Sequence, residues 1–119
     1  MTIDRIRTGP RMSKIVRHAG LVFLSGQTAS GTDLADVSGQ TREVLRRIDE
    51  LLAEAGTDKA HLLTATVYLR DIGDFVVMNV EWEAWLASGS APARTTVEAR
   101  LASPNLLVEI TVTAARSRA

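Results

Sequence analysis

Apolar residues along this chain switch between two spacings, and the switches mark out the elements. Residues 12–17 and Leu21–Leu24 read as two short strands around a turn at Ala19-Gly20. A polar loop of small residues, Thr28 to Asp33, follows Ser25-Gly26-Gln27. The period then becomes helical. Val44, Leu45, Ile48, Leu51, Leu52 and Ala55 recur on one face, with charges between them and Gly56 placed as a stop, which predicts a helix over about 36–55. Leu62–Leu69 returns to period two, with Leu63, Ala65, Val67 and Leu69 expected on one face and Thr64, Thr66 and Tyr68 on the other. Asp71 then offers an N-cap, and Asp74 an acidic first turn, to a second helix carrying Phe75, Met78, Trp82, Trp85 and Leu86. Gly89 and Pro92 end it, and strands at about 94–101 and 106–115 close the chain.

The order strand, strand, helix, strand, helix, strand, strand predicts an α/β sandwich with two helices on one face of a sheet. In the fifth of these strands Thr95, Val97, Ala99 and Leu101 alternate with Arg94, Thr96, Glu98 and Arg100. In the last, Val108, Ile110, Val112 and Ala114 alternate with Leu107, Glu109, Thr111 and Thr113. Turning the more apolar sets toward the helices leaves a Thr-rich opposite face that carries both Arg94 and Glu109. A half-polar face of that kind is either wet or covered by another subunit, and the pattern favours a subunit.

Composition narrows the class. The chain has 119 residues, 14 basic and 14 acidic, two His and no Cys. Its length suits one domain over 1–119, and the absence of Cys excludes a disulfide framework, a Cys-based zinc site and a thiol nucleophile. The N-terminus lacks the apolar run of a secretory signal, and no stretch is apolar enough to span a membrane, so a cytoplasmic location without membrane association is expected. Zero net charge argues against a general nucleic-acid binder.

Most catalytic signatures fail. Gly26 and Gly31 have P-loop spacing, but Thr32-Asp33 stand where Lys and Ser/Thr are needed. No nucleophile elbow or dinucleotide fingerprint is present. His18 and His61 lack a third ligand in any metal motif, and no metal site is expected. Arg94 and Glu109 are better candidates. Arg94 follows the stiff Ala91-Pro92-Ala93, and a guanidinium fixed at a strand end can grip a carboxylate through two parallel hydrogen bonds. Glu109 is the single charge between Leu101 and Arg116, in a strand otherwise apolar or Thr, where its surroundings can tune it to activate water. A structural ion pair, or two charges on a solvated face, explains the same spacing. Phe75, Trp82 and Trp85 read as core, and Asn79 is an unusual choice inside a helix.

Taken in order, several segments resemble the RidA/YjgF family of reactive enamine/imine deaminases, also called the L-PSP endoribonuclease family. They are Leu24-Ser25-Gly26-Gln27, Gln40-Thr41 through Leu52, Ala55-Gly56, Thr66 to Asp71, Asp74-Phe75, Asn79, Pro92-Ala93-Arg94, Val97-Glu98 and Val108-Glu109-Ile110. The resemblance implies a chorismate-mutase-like fold, with a mixed sheet of about six strands and two helices on one face. It also implies a homotrimer with active sites between subunits and no cofactor. By position, Arg94 matches the arginine that binds the substrate carboxylate and Glu109 the glutamate that activates the attacking water. Ser25, Gly26 and Thr96 match positions that line the cleft.

One position departs from the pattern. Thirteen residues before Ser25, where the archetypal deaminase has a Tyr, stands Met12, whose thioether cannot donate a hydrogen bond. The activity implied is hydrolysis of a small carboxylate-bearing 2-imino acid or enamine to a 2-keto acid and ammonia. A non-catalytic binding module for small carboxylates is the alternative, and RNA cleavage, suggested by the older family name, fits the neutral chain less well.

Overall fold

A computed structural model describes residues 2–116. Its elements are β1 (Asp4–Thr8), β2 (Ser13–His18), β3 (Leu21–Leu24), α1 (Val37–Ala55), β4 (Leu62–Leu69), α2 (Phe75–Trp85), β5 (Ala93–Glu98) and β6 (Val108–Ala115), with single 3-10 turns before β4 and before α2. The strands form one sheet in the order β1-β2-β3-β6-β4-β5. All neighbours are antiparallel except β4 and β5, the parallel pair that α2 connects. This is the expected α/β arrangement, with both helices packed on one face.

Local chemistry explains most boundaries. The Asp36 carboxylate accepts a 2.7 Å hydrogen bond from the Gly39 N–H and so caps α1. Gly56 ends the helix at φ 86°, in the left-handed region where a Cβ is penalised. Ala19 and Gly20 both have positive φ, 54° and 80°, and give the β2–β3 hairpin the turn that matches strand twist. Ile15, Val22, Leu24, Val67, Leu69, Val108, Ile110 and Val112 then meet Val44, Leu45, Ile48 and Leu52 of α1 and Met78 and Trp82 of α2 in one buried core. Each such aliphatic side chain contributes roughly 1.5–3 kcal/mol by leaving water.

Three features differ from the periodicity. Strand β1 has no strong apolar pattern, because an edge strand needs only one anchoring contact; Ile6, opposite Ile15, supplies it. In β4 the register slips between Leu62 and Thr64, so Leu63 is the extra residue of a bulge: Leu62 is 8% exposed and Leu63 43%. Leu62, and not Leu63, therefore faces the core.

The third difference concerns β5, which ends at Glu98 and has the faces opposite to those expected. Arg94 and Thr96 lie opposite Ala65 and Val67, on the helix side, while Thr95 and Val97 lie opposite Thr66 and Tyr68, on the open side. At a sheet edge beyond the main core the apolar alternation weakens, and the Arg94 guanidinium packs against α2 instead.

The segment that leads into β6 is tied down by two polar side chains. Buried Gln40 donates through Nε2 to the Leu34 and Asn105 carbonyls, at 3.0 and 2.8 Å, and accepts from the Leu107 N–H at 2.8 Å. Arg70 donates to the carbonyls of Leu106 and Ser103 at 2.8 and 2.7 Å. Together they fix where β6, and hence Glu109, begins. Among the described residues no helix is long and apolar enough to cross a membrane.

Candidate functional site

The candidate residues fall into two groups on opposite faces of the sheet. The first gathers on the open face around Glu109. Gln27 forms a two-hydrogen-bond bridge with Ile110, 2.9 Å from its N–H and 3.0 Å to its carbonyl, which holds Gly26 beside the start of β6. The fit is close. A Cβ on Gly26 would lie 2.1 Å from Glu109 Oε2 and 3.1 Å from Thr111 Oγ1, so a residue without a side chain is required for the carboxylate to stand there. Ser25 adjoins it, its hydroxyl accepting from Gln27 Nε2 at 3.2 Å. Across the ladder from Glu109 is Tyr68. The Glu109 carboxylate forms no ion pair or hydrogen bond with any described residue.

The second group lies on the helix side at the sheet edge. The Arg94 guanidinium stacks 5.3 Å from the Trp82 ring centre and 5.8 Å from that of Phe75, and its Nη1 points to Met78 Sδ at 4.0 Å. It has no carboxylate partner among the described residues. Burial lowers its pKa, with the charge of Glu83 opposing that shift. A cation held against aromatic faces with most of its donors unused is ready to bind an anion. Thr96 is the next residue of β5 on this face, and Asn79 lies one helical turn beyond Phe75; the Thr96 hydroxyl oxygen and the Asn79 amide oxygen are both buried without a partner among the described residues.

Arg94 and Glu109 are thus neither an ion pair nor neighbours, and the expectation that they share the Thr-rich face is corrected. Their rungs on β4, at Ala65 and Tyr68, are about 10 Å apart along the strand, and β5 and β6 are about 10 Å apart across it. With the sheet itself between them, one small substrate cannot touch both residues of one chain.

Met12 is half exposed in the β1–β2 loop, beside an open groove of about 330 Å³ that also involves Arg11 and Lys14, and the Lys14 carbonyl accepts from the Ser25 N–H at 3.0 Å. His18 bonds the Thr2 carbonyl and His61 the Asp58 carboxylate. No cluster of three or more metal-ligating side chains occurs among the described residues.

The loop after Gly26 is held from α1. Arg47 donates to the Thr28 and Ser30 carbonyls, each at 2.8 Å, and to Glu43 at 2.7 Å. Hydrogen bonds from Arg46 and then Arg47 hold the Glu43 carboxyl at a pKa of about 2. Periodicity reads these charges only as a solvated helix face.

Residues 2–116 match the family model described as endoribonuclease L-PSP. A RutC family protein of Haemophilus ducreyi is 42% identical over 113 residues, covering 95% of this chain and 96% of that protein. The RutC family protein YoaB of Escherichia coli is 41% identical over 115 residues, covering 97% and 99%. Among solved structures, a YjgF family member from Neisseria meningitidis superposes with a TM-score of 0.95 at 49% identity, over 100% of this chain and 98% of its own. A YjgF/YER057c/UK114 family member from Mycobacterium tuberculosis gives 0.85 at 30% identity, over 96% and 99%.

Proposed function

Because the chain belongs to the endoribonuclease L-PSP family, the RutC/YjgF proteins, we propose that it is a hydrolytic deaminase of 2-imino acids and their enamine tautomers. We further propose that it works as a homotrimer whose sites lie between subunits. The observation that carries this reading is the pair of unsatisfied half-sites. Among the described residues Arg94 is a cation without an anion and Glu109 an anion without a cation, and they face opposite sides of one sheet. A second copy that places its Arg94 over the Glu109 face completes both.

Exposed apolar surface supports such an assembly. On α2, Val76 is 71% and Val80 61% exposed, apolar side chains that a lone subunit leaves in water. Phe23, Leu21 and Val97 are likewise exposed on the open face.

In the proposed reaction Arg94 of one subunit grips the substrate carboxylate, with Thr96 beside it, and fixes the C=N carbon over Glu109 of the next. Ser25 and Gly26 form the floor. Water attacks that carbon while the Glu109 carboxylate takes one of its protons. The proton passes to nitrogen to give a carbinolamine; Glu109 then takes the proton of the remaining hydroxyl and relays it to the same nitrogen, and the C–N bond breaks as the ketone forms and ammonia leaves. One imine and one water give one 2-keto acid and one ammonia, and the scheme uses no metal or organic cofactor. Met12, near the loop, contributes no hydrogen-bond donor.

The test is ammonia or keto-acid release from imines generated by an amino-acid oxidase, with wild type beside Arg94→Ala. The expected result is acceleration by wild type and a loss of at least about 10²-fold in kcat/KM in the variant, since two charge-assisted hydrogen bonds disappear. No acceleration of any imine by folded wild-type protein refutes deamination and leaves carboxylate binding as the function to examine.

A further inference from the structure

Two threonines of β6 stand on the open face, each opposite a threonine of β4: Thr113 faces Thr64, and Thr111 faces Thr66. The first pair joins its hydroxyls in a 2.6 Å hydrogen bond, the ordinary use of threonines in register. The second pair makes no such bond. Thr111 Oγ1 instead turns the other way, toward β3, and lies 3.1 Å from the position a Gly26 Cβ would occupy, the same small space that the Glu109 carboxylate enters. It has no hydrogen-bond partner among the described residues. Two side chains of one strand, a carboxylate and an unused hydroxyl, therefore converge over the one residue that offers them room.

We propose that Thr111 positions the attacking water. The inference rests on the deaminase reading, in which Glu109 is the base. A water above Gly26 gives one hydrogen to the Glu109 carboxylate and the other to Thr111 Oγ1, so both lone pairs of its oxygen stay directed at the imine carbon. With Glu109 alone, the water rotates about its single hydrogen bond and points correctly only part of the time. Thr111 transfers no proton in this scheme. It fixes an orientation, and its loss should fall on kcat rather than on substrate binding, which belongs to the Arg94 half-site.

The experiment compares Thr111→Val, which keeps the branched shape and removes the hydroxyl, with Thr111→Ser, which keeps the hydroxyl and removes the methyl. Imine hydrolysis is followed for each beside wild type, with thermal melting as the folding control. Thr111→Val should lower kcat about five- to tenfold at unchanged KM and unchanged melting temperature, the size expected for one neutral hydrogen bond. Thr111→Ser should retain most of the wild-type kcat. Wild-type kcat in Thr111→Val overturns the proposal, and so does a Thr111→Ser variant as slow as Thr111→Val, because the methyl and not the hydroxyl would then matter. Wild-type protein inactive on every imine removes the deaminase reading and this inference together, whereas active wild type with an equally active Thr111→Val removes this inference alone.

Discussion

Substituting Gly26 by Ala separates the site from the fold more cleanly than removing a charged residue does. Gly26 does not have the positive φ of Gly20 or Gly56, so an L side chain brings no backbone strain there. The new methyl would lie 2.1 Å from Glu109 Oε2, and ordinary contact begins at 3.4 Å, so the oxygen must retreat by more than 1 Å. The atom that has to move is the far end of a flexible side chain with no hydrogen bond to lose, so the displacement costs the fold little. Its effect on chemistry is larger. Moving a general base by about 1 Å is worth roughly 10²-fold in rate, close to 2.7 kcal/mol of transition-state stabilisation. Gly26→Ala should therefore melt within a few degrees of wild type and lose about 10²-fold in kcat/KM for imine hydrolysis. Gly9→Ala is the control, since a Cβ there meets only the Met12 carbonyl oxygen at 3.9 Å and should change nothing. A fully active Gly26→Ala enzyme would show that Glu109 does not act from the place it occupies over Gly26.

Two further substitutions test the supports of the site. Gln40→Leu strands the Leu34 and Asn105 carbonyls and the Leu107 N–H, three partly buried groups, and should cost about 2–3 kcal/mol in denaturant unfolding; a loss below about 1 kcal/mol would mean that water replaces the amide. Glu43→Gln tests the Arg46–Arg47 network, in which the folded carboxyl has a pKa of about 2 against an ordinary value of 4.5. A depressed carboxylate pKa stabilises the fold above the ordinary value and loses that contribution as pH falls through the folded one. The variant should be less stable than wild type at pH 7, by about 1 kcal/mol for a network that is open to water at Arg46 and half-buried at Glu43 and Arg47, and the two should converge between pH 4.5 and about 2. A gap that persists to acid pH would assign the effect to packing.

Most of the fold is legible in the sequence because most of it is core. The 3.6-residue stripe of α1, the Gly56 stop and the alternation in β6 each report burial on one side only, so pattern and structure agree. The misreadings lie where burial is weak. Strand β1 and strand β5 are the two edges, and at β5 the choice of face is made by how the Arg94 guanidinium meets Phe75, Met78 and Trp82, a contact between elements that no local period encodes. Period two alone puts Leu63 on the core face, because a bulge inserts a residue without any change of composition to announce it. At the candidate site, Arg94 and Glu109 stand out as charges in otherwise neutral surroundings. Gln40, Arg70, Thr111 and Tyr68 do not, since their importance comes from what lies across the ladder or beyond a loop. Asn79 stands out as an amide inside a largely apolar helix, and its amide oxygen is buried without a hydrogen-bond partner among the described residues.

The separation of the two half-sites makes one quantitative prediction that a site within one chain cannot imitate. In the proposed homotrimer, Arg94→Ala and Glu109→Gln should each abolish activity, because every site then lacks one of its halves. When the two variants are unfolded together in equal amounts and refolded, subunits assort at random. A given site is intact only when its Arg94 comes from a Glu109→Gln chain and its Glu109 from an Arg94→Ala neighbour, each with even odds, so about a quarter of all sites are restored. The mixture should therefore recover about 25% of wild-type kcat at wild-type KM, while the variants refolded separately and mixed afterwards recover none until subunits exchange. If both residues served a site within one chain, every chain in the mixture would still be defective and no activity would return. The yield thus distinguishes a shared site from a private one. The geometry predicts sharing, because nothing short of a second copy brings an Arg94 to the face where Glu109 stands.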